Sequence, residues 1–403
     1  TGRKRLEPWQ LNLRRIWFVQ LFSIMGFALC MPLAPYYIQE LGVTDPDKVK
    51  FWSALFFAVT PLSVAIMAPI WGILSDRYGR RIMLMRANVA GLVVLAAMAY
   101  VDTPLALIVL RSVQGILTGT YTAALTMVSA NAPDDRQGSA LGMLHTAVYA
   151  GVMFGGLAGG VLGDILGYRA CFLVSAGLLG MAALLTMTLA ELPDPVEDKG
   201  VQGKSTRYSL PMLVLLPILM ATFCMAFARQ FDLAILPLYV QELHGQLAGS
   251  ATITGALNGI GGIASILSGV YLARFADRRH PALLGCVAAA GAGLFMICMA
   301  LTSSFALIFP ARFAMLFFAG ALDPLLQAWV ARMIPAKRRG FVLGITVTIR
   351  ALGWCVAPLL AGWVAVQWNS QAVFYAGPLI FWLLLPLFGI IVAAQNRESG
   401  KQA

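Results

Sequence analysis

Apolar runs long enough to cross a bilayer follow one another along nearly the whole chain, and nothing else in it restricts the fold as much. In lipid every backbone N–H and C=O must find its partner inside the protein, so each run reads as a spanning helix. The pattern predicts twelve, at about residues 14–39, 50–75, 82–101, 104–130, 138–163, 168–190, 211–240, 249–275, 281–302, 304–331, 340–366 and 370–394. Only 12% of the 403 residues are charged, against about 25% in a soluble domain. The period-two alternation of an outer-membrane barrel is absent. The expected class is therefore an all-α polytopic membrane protein.

The placement of the 29 Lys and Arg sets the orientation. Lys48, Lys50 and Arg169 fall on one side, and Arg111, Arg229, Arg312 and Arg350 lie within spans. All the others gather on the opposite side. The positive-inside rule then puts both termini in the cytoplasm of a multi-pass inner-membrane protein. Residues 1–15 are basic but lead straight into a full-length span, so a cleaved signal peptide is not expected. The net charge of +11 is spread over span flanks rather than along a stripe, which argues against nucleic acid as a partner. Six scattered cysteines without ligand spacing read as buried thiols, and no metal is expected.

Residues 191–210, with Pro193, Pro195, Gly200 and Gly203, read as a polar linker between a 1–190 bundle and a 211–403 bundle. An internal repeat supports that division. PYYIQEL (35–41) recurs as PLYVQEL (237–243), Arg111 as Arg312, Gly151 as Gly353 and Phe172 as Phe374, at a shift of 201 or 202 residues. GILSDRYGRR (72–81) recurs weakly as LARFADRR (272–279), so Asp76-Arg77 maps onto Asp277-Arg278. Six spans per copy is an even number, so the copies enter from the same side. Two parallel six-helix repeats meeting at the midplane is the architecture of rocking secondary transporters.

GILSDRYGRR, through Gly72, Asp76, Arg77, Gly79, Arg80 and Arg81, resembles the loop signature of the major facilitator superfamily. The whole chain is similar to that superfamily's twelve-helix drug:proton antiporter branch. The resemblance implies that this loop latches the cytoplasmic side in the outward-facing state; Asp277 and Arg278 would form a weaker second latch without glycines. Gly26, Pro32 and Pro35 match the branch's first span, where prolines kink the helix and free carbonyls. RSVQG, with Arg111 and Gln114, resembles the fourth-span motif linked to proton transfer, although Arg111 can equally bond first-span carbonyls. Gly151, Gly155, Gly156, Gly159 and Gly160 resemble the antiporter glycine motif, with Gly156 in its proline position and Pro358 at the matching place in the second half. Simple close packing explains the same spacing.

Two acids lie inside spans, Asp232 and Asp323. A carboxyl removed from water takes up protons more readily, so these two, with Arg111 and His145, are the proton-coupling candidates. Arg229 and Asp232 stand three apart and share a helical face, as a static pair or one that opens. Asp323, Pro324 and Gln327 read as a broken-helix polar site in the tenth span. Arg350, similar in position to multidrug exporters of that branch, joins Arg229, Gln114, Gln327, Tyr36, Met31, Tyr149, Phe231 and Trp354 as cavity candidates.

The expected function is proton-coupled export of small amphipathic or drug-like compounds by alternating access. The alternative is a transporter of an anionic metabolite, siderophore or (lyso)lipid. No cofactor is expected: GxxxxGK is absent, so the proton gradient supplies the energy. Enzyme chemistry is not expected, because His145, His244 and His280 are dispersed and neither HExxH nor GxSxG occurs. The partners expected are substrate, protons and membrane lipid, with the chain a monomer.

Overall fold

The computed structural model describes residues 7–133, 136–190, 212–276, 280–333 and 336–402, and those residues contain helices and no strands. Helix α1 (Pro8–Cys30) passes through a 3₁₀ turn, Met31–Leu33, into α2 (Ala34–Glu40). Then come α3 (Pro46–Tyr78), α4 (Arg80–Met98), α5 (Pro104–Leu117), α6 (Thr120–Asn131), α7 (Gln137–Leu166) and α8 (Tyr168–Thr186). The second half holds α9 (Met212–Gln230), α10 (Leu236–His244), α11 (Ser250–Ala276), α12 (Pro281–Leu301), α13 (Phe305–Met333), α14 (Ala336–Gln367) and α15 (Ser370–Gln402). The expected linker lies within 191–211, outside the described residues.

Among the described residues, ten stretches are long and apolar enough to cross a membrane, and Leu215–Gln230 is a shorter apolar helix. The fourth span escapes that test because it is divided. Between α5 and α6 the chain turns at Gly119, whose φ of 134° favours glycine. The seventh span is divided too, by the turn between Gln230 and Leu236. With these two the crossings number twelve, in the two parallel sixes that the sequence predicts.

The tenth span corrects an expectation. Helix α13 runs unbroken through Pro310 and Pro324, so Asp323 does not sit at a helix break. A proline ring crowds the carbonyl four residues back, and for Pro324 that residue is Gly320, whose lack of a side chain leaves room to adjust.

The repeat is visible as paired contacts. The Tyr37 hydroxyl donates to Met98 O (3.0 Å) and its ring packs on Phe172. The Tyr239 hydroxyl donates to Met299 O (3.1 Å) and its ring packs on Phe374. Each tyrosine ties the first span of its half to the end of the third and the start of the sixth. Gln39 and Gln241, equivalent under the 202-residue shift, exchange side-chain amide bonds of 2.8 and 3.0 Å. A residue bonded to its own repeat mate lies on the pseudo-twofold axis.

Two seams join the halves, α7 against α11 and α3 against α14. Glycines make both possible. A Cβ on Gly160 would overlap Ala251 O, and one on Gly362 would overlap the Ala54 side chain. Gly151, Gly155 and Gly159 face the other way, onto Ile24, Met25 and Leu29 of α1. The stripe on α7 therefore splits between packing within its half and packing across the seam.

Gly159→Ala should cost about 1–3 kcal/mol, the usual overpacking range, because its Cβ meets the α1 backbone. Gly142→Ala, inside the same helix but opening onto empty space, should stabilise by about 0.4–1 kcal/mol. Equilibrium unfolding in mixed micelles compares the two.

Candidate functional site

The seams close at one end of the molecule, the end with the loops between α2 and α3, α10 and α11, and α14 and α15. The buried Tyr36 hydroxyl bonds Pro237 O (2.8 Å) and Thr254 Oγ1 (2.8 Å) there. The Asp164 carboxylate accepts from Thr252 N (2.9 Å), Gly249 N (3.2 Å) and Thr252 Oγ1 (2.6 Å). It thus caps the start of α11 from the other half of the molecule, satisfying first-turn donors that a helix cannot satisfy itself. Past the contact of Gly262 with Met153, α7 exposes Gly142, His145 and Thr146, and Cβ atoms on Gly142 or Gly269 would meet open space. The two helices have parted at that end.

Asp164→Ala removes this cap, worth about 0.5–2 kcal/mol. The expected result is faster reaction of a thiol introduced at the buried, sealed-end Val49 with a membrane-impermeant maleimide, in a background without the native cysteines.

In the parted region a polar cluster spans both halves. Arg350 grips Asp323 with two bonds, Nη2 to Oδ1 at 2.9 Å and Nη1 to Oδ2 at 3.2 Å. Gln327 Nε2 adds a third at 2.9 Å. The pair is only partly buried. Across from it, His145 Nε2 lies 3.3 Å from the Tyr121 hydroxyl and stacks on Tyr149. Asp323 and Arg350 stand within electrostatic reach of both His145 and Tyr121. Tyr121 is an addition; the glycine turn that begins α6 aims it there, and no motif marks it.

Deeper lie two buried arginines, one in each half. Arg312 forms an ion pair with Asp232 and touches Met315 Sδ. Arg111 donates to Gln114 Oε1 and to Met31 Sδ (3.0 Å), and its guanidinium stands 4.4 Å over the Phe56 ring. Under the repeat, Gln114 corresponds to Met315 and Cys30 to Asp232. The second half therefore completes an arginine–carboxylate pair where the first has a thiol.

Three expectations are corrected. Asp232 does not pair with Arg229, because α9 ends at Gln230 and the spacing of three no longer sets a shared face. Arg229 is half-buried and makes no hydrogen bond or ion pair among the described residues. Phe231 does not line a cavity: the turn after α9 packs it on Phe227, at 1% exposure. Tyr36 belongs to the sealed end rather than to an open chamber. Trp354, 38% exposed, lies one turn beyond Arg350 on α14. Pro358 is buried within the same helix.

In the charged loop, Gly72 and Asp76 belong to the last turns of α3, and Gly79 (φ 88°) alone connects α3 to α4. Arg77 leans on Tyr78, and Arg81 donates to Met187 O, where a cation suits a helix C-terminus. Arg80 begins α4. Asp277 and Arg278 lie outside the described residues. No cluster that could hold a metal occurs among the described residues.

The family model for the Major Facilitator Superfamily matches residues 16–308 and 218–403. The chain belongs to the major facilitator superfamily. Among curated relatives it is 30% identical over 379 residues to "Multidrug resistance protein MdtG" of Proteus mirabilis, covering 93% of this chain and 94% of that one. It is 32% identical over 372 residues to "Multi-drug resistance efflux pump PmrA" of Streptococcus pneumoniae, covering 91% and 92%. The fold matches the nucleoside transporter NupG with a TM-score of 0.76 at 13% identity, covering 95% and 99%. It also matches a bacterial homolog of the lysosomal transporter Spinster, in an inward-facing, occupied conformation, with a TM-score of 0.71 at 15% identity, covering 97% and 96%. This major facilitator protein is thus a multi-pass membrane transporter.

Proposed function

We propose that this transporter exports small amphipathic compounds in exchange for protons by alternating access. The observation that carries the reading is the Asp323–Arg350–Gln327 cluster. It is a carboxylate held by a cation, partly open to solvent, with His145 and Tyr121 of the other half within electrostatic reach. A proton on Asp323 cancels the charge that holds Arg350 and Gln327. The freed arginine then repels cationic cargo, and the deprotonated carboxylate attracts it. Proton and substrate so compete for one group, which is what exchange requires. The multidrug names of the MdtG and PmrA relatives support this cargo class.

The 1–190 and 211–403 bundles rock about the two glycine seams, with 191–210 as their linker. The cation-rich end, both termini and the linker face the cytoplasm of the inner membrane. The sealed end faces outward, so this is the inward-open state. The Gly72–Arg81 loop would latch the opposite state. Asp232, buried with Arg312, serves architecture rather than proton transfer. The protein acts as a monomer.

One observation favours a second reading, transport of an anion: Arg350 and Arg229 offer cationic groups within the second half. Substrate-driven proton flux in proteoliposomes, with Arg350→Glu beside the parent, separates them. Loss confined to anionic cargo would overturn the drug-exporter reading.

A further inference from the structure

A cavity of about 270 Å³ opens between α3, α4 and the α5–α6 turn, away from the polar cluster and within the first half. Its apolar wall includes Val64, Met83 and Ala123, and its polar groups are Arg86, Ser75, Thr118, Thr122 and Thr126, with Trp71 beside them. The Arg86 guanidinium carbon stands over the Trp71 ring, 3.4 Å from its centroid. Trp71 is itself fixed by donating to Ile116 O (2.6 Å), a carbonyl freed where α5 ends. Arg86 Nε and Nη1 are shielded from solvent and have no hydrogen-bond partner, and the same holds for Ser75 Oγ.

Arg86 is half-buried, and leaving two of its nitrogens shielded from water without a partner costs free energy. Cation–π contact offsets only part of that cost, and it leaves the in-plane N–H donors unspent. Those donors and a free hydroxyl line one space, which Gly119 and Thr122 at the start of α6 also border. The donors and the hydroxyl suit an anion's oxygens. Arg86 stands six residues into α4, about 9 Å along its axis, and lies at the cation-rich end, within reach of a headgroup layer. The volume equals about nine waters, enough for a phosphate head and its first carbons. A whole lipid would not fit, so a chain must leave toward the bilayer.

We propose that this crevice binds the phosphate head of an anionic amphiphile from the membrane, with the Arg86 guanidinium and the Ser75 hydroxyl as its ligands. The apolar wall takes the first carbons of the chain. The site is separate from the transport pathway proposed above.

The test is native mass spectrometry of the full chain in a non-ionic detergent, titrated with dodecyl phosphate, phosphatidylglycerol or inorganic phosphate. The two amphiphiles should each add one molecule per chain, and inorganic phosphate should not displace them. Arg86→Gln should weaken dodecyl phosphate binding by at least about tenfold, and Ser75→Ala by about tenfold, as for a lost bond to a charged group. Arg169→Gln, at the sealed end, should leave binding unchanged. Dodecyl phosphate binding as tight in folded Arg86→Gln as in the parent would overturn the proposal. Should that variant fail to fold, unchanged binding in Ser75→Ala would do so. Displacement by inorganic phosphate at equal concentration would also refute it, by showing that no chain is needed.

Discussion

Replacing Asp232 by Asn should lower the stability of the folded protein by about 3–5 kcal/mol, the range for removing one partner of a buried ion pair. The carboxylate is 1% exposed, its partner Arg312 is 3% exposed, and Arg312 Nε already lacks a hydrogen bond. Without the charge, a desolvated guanidinium is left with a neutral amide oxygen and the Met315 thioether. Equilibrium unfolding in mixed micelles reads the loss. Removing both charges, as Asp232→Asn with Arg312→Met, should recover most of it, since apolar replacement of a whole buried pair is often neutral or better. The double variant should still move protons with substrate, because the pair holds the break in the seventh span to the tenth span rather than carrying the proton. A stable Asp232→Asn single variant, or a stable but uncoupled double variant, would contradict this assignment.

Asp323→Asn should abolish coupling while sparing the fold. Its carboxylate is only partly buried, so Arg350 keeps access to water when the charge goes, and Gln327 can still bond the amide oxygen. A fixed neutral group cannot alternate between proton and cargo. Substrate-driven proton flux in proteoliposomes should fall by at least about tenfold, within the 5- to 150-fold span of ordinary coupling energies. Equilibrium substrate binding, measured separately, should lose its pH dependence. Proton flux equal to the parent would show that the coupling group lies elsewhere.

The architecture was legible because it is written twice. The shift of about 202 residues relates Tyr37 to Tyr239 and Phe172 to Phe374, and the structure gives each pair the same contacts. The glycines of α7 were legible as close-packing positions, but their sequence spacing cannot say which helix each one meets. Helix breaks were less readable. The prolines that do break the first span look no different in sequence from Pro324, which leaves α13 intact. The division at Gly119 rests on one positive φ.

The Asp232 partner was misread because a spacing of three implies a shared face only while the helix continues. The correct signal was available: Arg111 lies in the fourth span opposite the first, and the repeat carries the same relation to Arg312 and position 232. Asp164, by contrast, carries no local signature. Its role depends on a helix 88 residues away in sequence from the carboxylate that caps it.

The most direct test of alternating access is the distance between spin labels at Thr44→Cys and Gln246→Cys, exposed positions flanking the sealed end on opposite halves. In proteoliposomes the account predicts one short distance in the resting inward-open protein. A second, longer population should grow when the pH is lowered on the outer side or substrate is added. A single distance that neither protons nor substrate can change would mean that the Tyr36, Gln39–Gln241 and Asp164 contacts are permanent, and that the halves do not rock about these seams.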